Sequence, residues 1–238
     1  MRINIAKAFT LAVILAVAFI FAAIVGGPNI LKGYIETGIG GCSKIPILCK
    51  SPVQEIAVTE VEKEYTAGFI PYKFSKLSLS APKGFSVVQE LEKKTYYKKR
   101  LSRRKESVIY AFRQGPGYFI KLFPQVKGAG ITDNYTFIRR LSFARTDQVK
   151  NITDAFFVIL KSIFTPDIGD QNKAVMASFS LPGKKGFISY NLFDEEYYFD
   201  CNLVNENGDF FKLYIKDLKA RLQLDEVLAI ISTLKREE

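Results

Sequence analysis

Residues Ala8 to Val25 run for eighteen positions without a charge, with Thr10 as the one polar side chain. As a helix that run is about 27 Å long, close to the ~30 Å hydrocarbon core of a bilayer. No feature of the chain constrains its folding more, because a helix this apolar has no cheap place in water. Arg2 and Lys7 precede the run, and Gly26, Gly27 and Pro28 close it. Ile24 and Val25 stand where a leader peptidase needs small residues, so the run reads as a retained anchor and not as a cleaved leader. The basic residues lie before it, while Lys32 after it is offset by Glu36. The positive-inside bias then sets the N-terminus in the cytoplasm and everything after Gly27 outside. The expectation is a single-pass, signal-anchored membrane protein with a periplasmic or extracellular domain, touching the lipid bilayer through residues 8–27.

Three segments follow: residues 1–27 as cytoplasmic tip and transmembrane anchor, 28–75 as juxtamembrane segment and connector, and 76–238 as an α+β extracytoplasmic domain. In the last, Leu77, Leu79 and Ala81 alternate with serines before a Pro82-Lys83-Gly84 turn. Phe85 to Leu91, Ser107 to Gln114 and Tyr118 to Phe123 read as strands. Asp133 is placed to cap a helix reaching about Arg145, and a second helix runs from about Val149 to Phe164, stopped by Pro166. Within the second, Lys161 interrupts the apolar stretch Ala155 to Phe164. Four more strands follow: Ala174 to Ser180, Gly186 to Phe193, Tyr197 to Val204 and Asp209 to Lys216. Asn207-Gly208 marks a hairpin turn between the last two. An amphipathic helix over Leu224 to Leu234 ends the chain. Strands, then helices, then strands predict α+β architecture: an N-terminal transmembrane helix followed by a mainly antiparallel sheet packed with helices, α-β-α sandwich-like.

The entry Leu77-Ser78-Leu79-Ser80-Ala81-Pro82-Lys83-Gly84-Phe85 and the ending Ile230-Ile231-Ser232-Thr233-Leu234-Lys235 are similar to the first and last elements of the PsbP-like α-β-α sandwich family. The resemblance spans about Lys76 to Lys235, with Phe85 where the family usually has Trp. It implies a binding or assembly module and transfers no site residue to any position here.

Histidine is absent from the chain. That removes Ser–His–Asp and Cys–His catalysis, His-ligated zinc, facial-triad iron and the usual haem ligand together. Cys42, Cys49 and Cys201 are too few for a four-cysteine site and contain no C-x-x-C. Gly115-Pro116-Gly117 and Gly128-Ala129-Gly130 have neither dinucleotide-binding nor P-loop spacing and read as turns. No cofactor and no metal site are expected. Carboxylate chemistry survives in Asp194, Glu195, Glu196 and Asp200, with Asp167 and Asp170 as a second group. An enzyme acting on a polar substrate around Asp194–Asp200 is therefore the alternative reading, against a solvated turn.

The sharpest surface feature is basic. Between Leu91 and Lys105 the only acid is Glu92, against Lys93, Lys94, Lys98, Lys99, Arg100, Arg103, Arg104 and Lys105, a net +7 in a chain of +10 overall. The segment reads as a strand end and hairpin tip that meets an anionic lipid surface or an acidic protein, or else protects a sheet edge. No nucleic-acid partner is expected, since no nucleic-acid motif is present. Cys42 and Cys49, with Pro46 between them, are placed for a disulfide in an oxidising compartment, leaving Cys201 as a buried thiol. Binding or assembly, with no named partner, is the function these residues favour.

Overall fold

The computed structural model describes residues 30, 32–61, 63–74, 77–91, 94–100, 106–219 and 221–237. Among the described residues ten strands, in two consecutive runs separated by helices and preceded by a short lead-in strand, give an α+β fold built on a mixed sheet. The strands are β1 (Gln54–Ala57), β2 (Phe69–Phe74), β3 (Leu77–Pro82), β4 (Ser86–Leu91), β5 (Lys94–Arg100), β6 (Glu106–Gln114), β7 (Val175–Leu181), β8 (Lys184–Asn191), β9 (Tyr197–Asn205) and β10 (Phe210–Asp217). Three helices have ten residues or more: α1 (Asn134–Phe143), α2 (Ile152–Phe164) and α3 (Leu224–Thr233).

Eight strands form one sheet in the order β1-β7-β8-β9-β10-β6-β5-β4, and β2 pairs with β3 apart from it. Every neighbouring pair in the large sheet is antiparallel except β1 with β7, which is parallel. The sheet is thus mixed, because the segment read as a connector sends Gln54–Ala57 back along its far edge.

Local sequence explains each helix end. Asp133 accepts from the Thr136 backbone N–H at 2.7 Å while Thr136 Oγ1 accepts from the Asp133 N–H, closing a capping box at α1. Asn151 accepts from the Asp154 N–H at 2.9 Å to start α2. Asn134, 1% exposed, ties α1 to the Asn207-Gly208 hairpin by donating to the Gly208 and Gly115 carbonyls.

The two faces of the sheet are covered separately. On one, α3 and β3 pack Leu79, Val227, Ile230 and Ile231 against Ile109, Phe199, Phe211 and Leu213 in one apolar cluster. On the other, α1 and α2 cover β8, β9 and β10 through Phe137, Phe157, Phe187 and Phe210. A neighbouring cluster there joins Ile35, Ile47 and Leu48 to Ala155, Val158 and Met176. Residues 35–57 are therefore built into the fold.

Several expectations are corrected. Among the described residues no helix is long and apolar enough to cross a membrane. The longest, α2, has 13 residues, about 20 Å, and carries Asp154 and Lys161. A fold class with an N-terminal transmembrane helix, and with it the membrane, single-pass and signal-anchor readings, is not what the structure supports; Ala8–Val25 itself lies outside the described residues. Tyr118–Leu122 is a short helix, not a strand. Gly117 precedes it at φ +68°, and Phe119 stacks on Phe137 with centroids 4.1 Å apart, which a strand in this place would forgo.

Candidate functional site

The acidic residues of the β8–β9 region separate rather than converge. Asp194 accepts from Lys173 Nζ at 2.9 Å, from the Asp170 N–H at 3.1 Å and from Asn191 Nδ2 at 2.7 Å. The Lys173 ammonium holds its carboxyl below the usual carboxylate range. Glu196 accepts from the Tyr198 hydroxyl and from Lys216 Nζ, both at 2.6 Å. Asp200 is 4% exposed and lies 2.8 Å from Lys212 Nζ. Burial pushes its pKa up, against the opposing charge of Lys212. Each carboxylate is taken up by a different lysine, and Glu195 stays exposed. Asp167 and Asp170 accept from backbone N–H groups two residues on, in turns of their own. Among the described residues no group of three or more His, Cys, Asp or Glu could hold a metal ion.

The basic segment is mainly strand. Lys94, Lys98, Lys99 and Arg100 lie on β5, one strand in from the β4 edge. Their register partners on β6 are Phe112, Val108, Ser107 and Glu106. Lys93, Arg103, Arg104 and Lys105 lie outside the described residues. β5 carries four basic residues and no acid along seven positions.

At the other end of the molecule, Cys42 and Cys49 form a disulfide with Cα atoms 5.6 Å apart. It closes the helical turns that deliver Ile47 and Leu48 to the core. Cys201 is buried on the α3 face, where desolvation raises its thiol well above the ordinary value and keeps it unreactive.

Sequence reasoning missed a third grouping, where the end of α1 meets the start of α2. A cleft of about 420 Å³ opens there, lined by Arg140, Phe143, Arg145, Gln148, Lys150 and Asp154. Arg140 is ion-paired to Asp154. Arg145 grips Asp147 with two hydrogen bonds, Nε to Oδ1 at 2.9 Å and Nη2 to Oδ2 at 2.7 Å. That pairing lowers the Asp147 pKa. The Asp154 carboxylate also accepts from the Lys150 N–H at 3.0 Å.

Lys161, 3% exposed, is anchored by the same junction. Its ammonium donates to the Lys50, Ser142 and Ala144 carbonyls at 2.6, 3.0 and 2.9 Å. Burial, aided by the nearby charge of Arg145, pushes its pKa down to about 7. One side chain thus pins the end of α1 and the disulfide-closed segment to α2. A lysine inside the apolar stripe of α2 was the available signal. The cleft had none, because its residues belong to a helix end, a turn and the next helix start, with no motif spacing.

No family model matches the chain. No curated protein matches it. Among solved structures it is similar to a crystal structure from Bacteroides thetaiotaomicron VPI-5482, with 12% identity over 68% of this chain and a TM-score of 0.30. The match spans 45% of that protein's length, and a likeness this slight carries no argument about fold or function.

Proposed function

We propose that the chain is a binding module that engages an acidic protein partner outside the cytoplasm, through the basic end of its sheet. The observation that carries this reading is β5, which sets Lys94, Lys98, Lys99 and Arg100 on one seven-residue strand that has no acid of its own. Like charges this dense repel one another, and a complementary partner relieves that cost. The Cys42–Cys49 disulfide suits an oxidising compartment. The PsbP-like resemblance agrees with a binding or assembly role. An enzyme built on Asp194–Asp200 would need convergent carboxylates, and Asp194, Glu196 and Asp200 are instead paired off to Lys173, Lys216 and Lys212.

The test uses polyglutamate as an acidic-protein mimic and the full chain. Binding should weaken as added salt shortens the Debye length below ~10 Å. The triple variant Lys98→Glu, Lys99→Glu, Arg100→Glu should lose it with its circular dichroism unchanged. Salt-independent binding, or full binding by the folded triple variant, would refute the proposal.

A further inference from the structure

The cleft between α1 and α2 is far from neutral. Arg140, Arg145 and Lys150 reach it from a helix, a turn and a loop, against the single lining carboxylate of Asp154. Counting Asp147, which holds Arg145 from the side, three cations still face only two anions. Lys150 has no acidic partner among the described residues.

The arginines are also pre-set. Arg145 spends Nε and one Nη2 hydrogen bond on Asp147, leaving Nη1 unengaged, and Arg140 spends only Nη2 on Asp154. Their planar guanidinium groups are thus held in place before any ligand arrives, which reduces the ordering cost of binding.

Two further features favour an anion. The N-terminal end of α2, a 13-residue helix, opens at this junction and adds its positive dipole end. The Lys161 ammonium, in the last turn of α2, bonds the Ser142 and Ala144 carbonyls at the end of α1, beside the cleft. Phe143, 42% exposed, gives the cleft an apolar wall, with the Arg139 guanidinium 5.9 Å from the ring centroid. At about 420 Å³ the space suits a small molecule.

We infer that the α1–α2 cleft is a binding site for a small ligand bearing a phosphoryl group. Donors that approach from three separate elements match a tetrahedral dianion, which offers an oxygen to each, better than a planar carboxylate. The aromatic wall at Phe143 would take the ligand's apolar portion. This site is distinct from the β5 surface, so the two bind different things and fail independently.

Inorganic phosphate is the probe. Titrated into the ¹⁵N-labelled full chain, it should shift backbone amide resonances of residues 140–154 along saturable curves. Acetate at equal ionic strength should shift them weakly. Lys150→Gln and Arg145→Gln should each weaken phosphate binding about tenfold, equivalent to about 1.4 kcal/mol. The β5 triple variant should bind phosphate as the parent does. Lys150 is exposed, so Lys150→Gln keeps the test decisive even if Arg145→Gln disturbs the turn. Shifts that never saturate, equal binding of acetate, or parental affinity in the folded Lys150→Gln variant would each overturn the assignment.

Discussion

The two faces of one sheet are covered by different chemistry. Beneath α3 lies a continuous apolar cluster, with Ile188, Phe199, Cys201, Leu213 and Ile215 each at 0% exposure. Beneath α1 and α2 the apolar residues divide into two clusters. Along β9 and β10 the buried Asp200–Lys212 pair lies between them, with Val204 and Phe210 on one side and Tyr198 and Tyr214 on the other. The Lys161 ammonium is buried in the same layer. Apolar burial alone holds the α3 face, at about 25 cal/mol per Å². The α1–α2 face spends part of its burial on charges that must be paired to be tolerated. A layer arranged that way places charged groups in fixed positions, and the Arg140–Lys150 cleft opens on it. The α3 face is a closed apolar core, and the opposite face holds the buried charges.

The largest expected effect comes from the scaffold. Phe199→Ala should cost about 3–5 kcal/mol in denaturant unfolding, by lost burial and a cavity that close packing cannot refill. Its stability should keep the parental pH dependence. A cost below about 1 kcal/mol would show that the α3 face is not the closed core described.

Lys161→Met cuts the other face. It removes a buried charge but orphans the Lys50, Ser142 and Ala144 carbonyls, at about 1–3 kcal/mol for each that stays unpaired. A net loss of about 3 kcal/mol is expected. The distinguishing readout is pH. Lys161 titrates near 7 in the fold against 10.5 in the unfolded chain. Between those values the unfolded chain binds more protons, so this group makes stability rise with pH through that window, and the contribution is absent below about pH 7. Tyr214, whose pKa burial raises, acts oppositely above about pH 10, where the unfolded phenol ionises first. Unfolding free energies between about pH 7 and 8.5, below the ionisation of the unfolded Cys201 thiol, should climb more steeply in the parent than in Lys161→Met. Parallel pH profiles would contradict the assignment.

Opening the disulfide should act on the same side. Replacing Cys42 and Cys49 by Ser releases a loop closed over a sequence separation of 7, worth about 2–3 kcal/mol. Hydrogen-exchange protection should fall first over Ile47–Lys50 and the start of α2, leaving α3 unaffected. Equal loss over both faces would erase the distinction between them. Arg140→Gln should have the smallest effect, below about 1 kcal/mol, because its pair with Asp154 is half exposed at the arginine.

Part of this architecture is legible in the chain. Strands β6 to β10 follow from period-two alternation and the Asn207-Gly208 turn, and α1 to α3 from apolar spacing, with a cap at Asp133; the Asn151 cap of α2 was not read. What escaped depends on distant partners. β1 is four residues long, and its partner Ala177–Ser180 lies more than a hundred residues away, so nothing local marks it. β2 contains Pro71, which argues against a strand until its pairing with β3 is known. Tyr118–Leu122 has the aromatic content of a strand and becomes helical where Phe119 meets Phe137 and Phe210. The basic run was visible as charge, but its length as strand was not. The α1–α2 cleft exists only once two helices pack, so no sequence signal marked it, whereas Lys161 was visible as a break in an apolar stripe.

In the proposed function the chain binds an acidic protein at the β5 end while the α3 face serves as scaffold. Hydrogen exchange of the full chain, with and without polyglutamate at low salt, tests this most directly. Added protection is expected over Lys94–Arg100 and its neighbours on β4 and β6, with exchange in α3 and the β2–β3 hairpin unchanged. Protection centred on α3, or none anywhere, would contradict it.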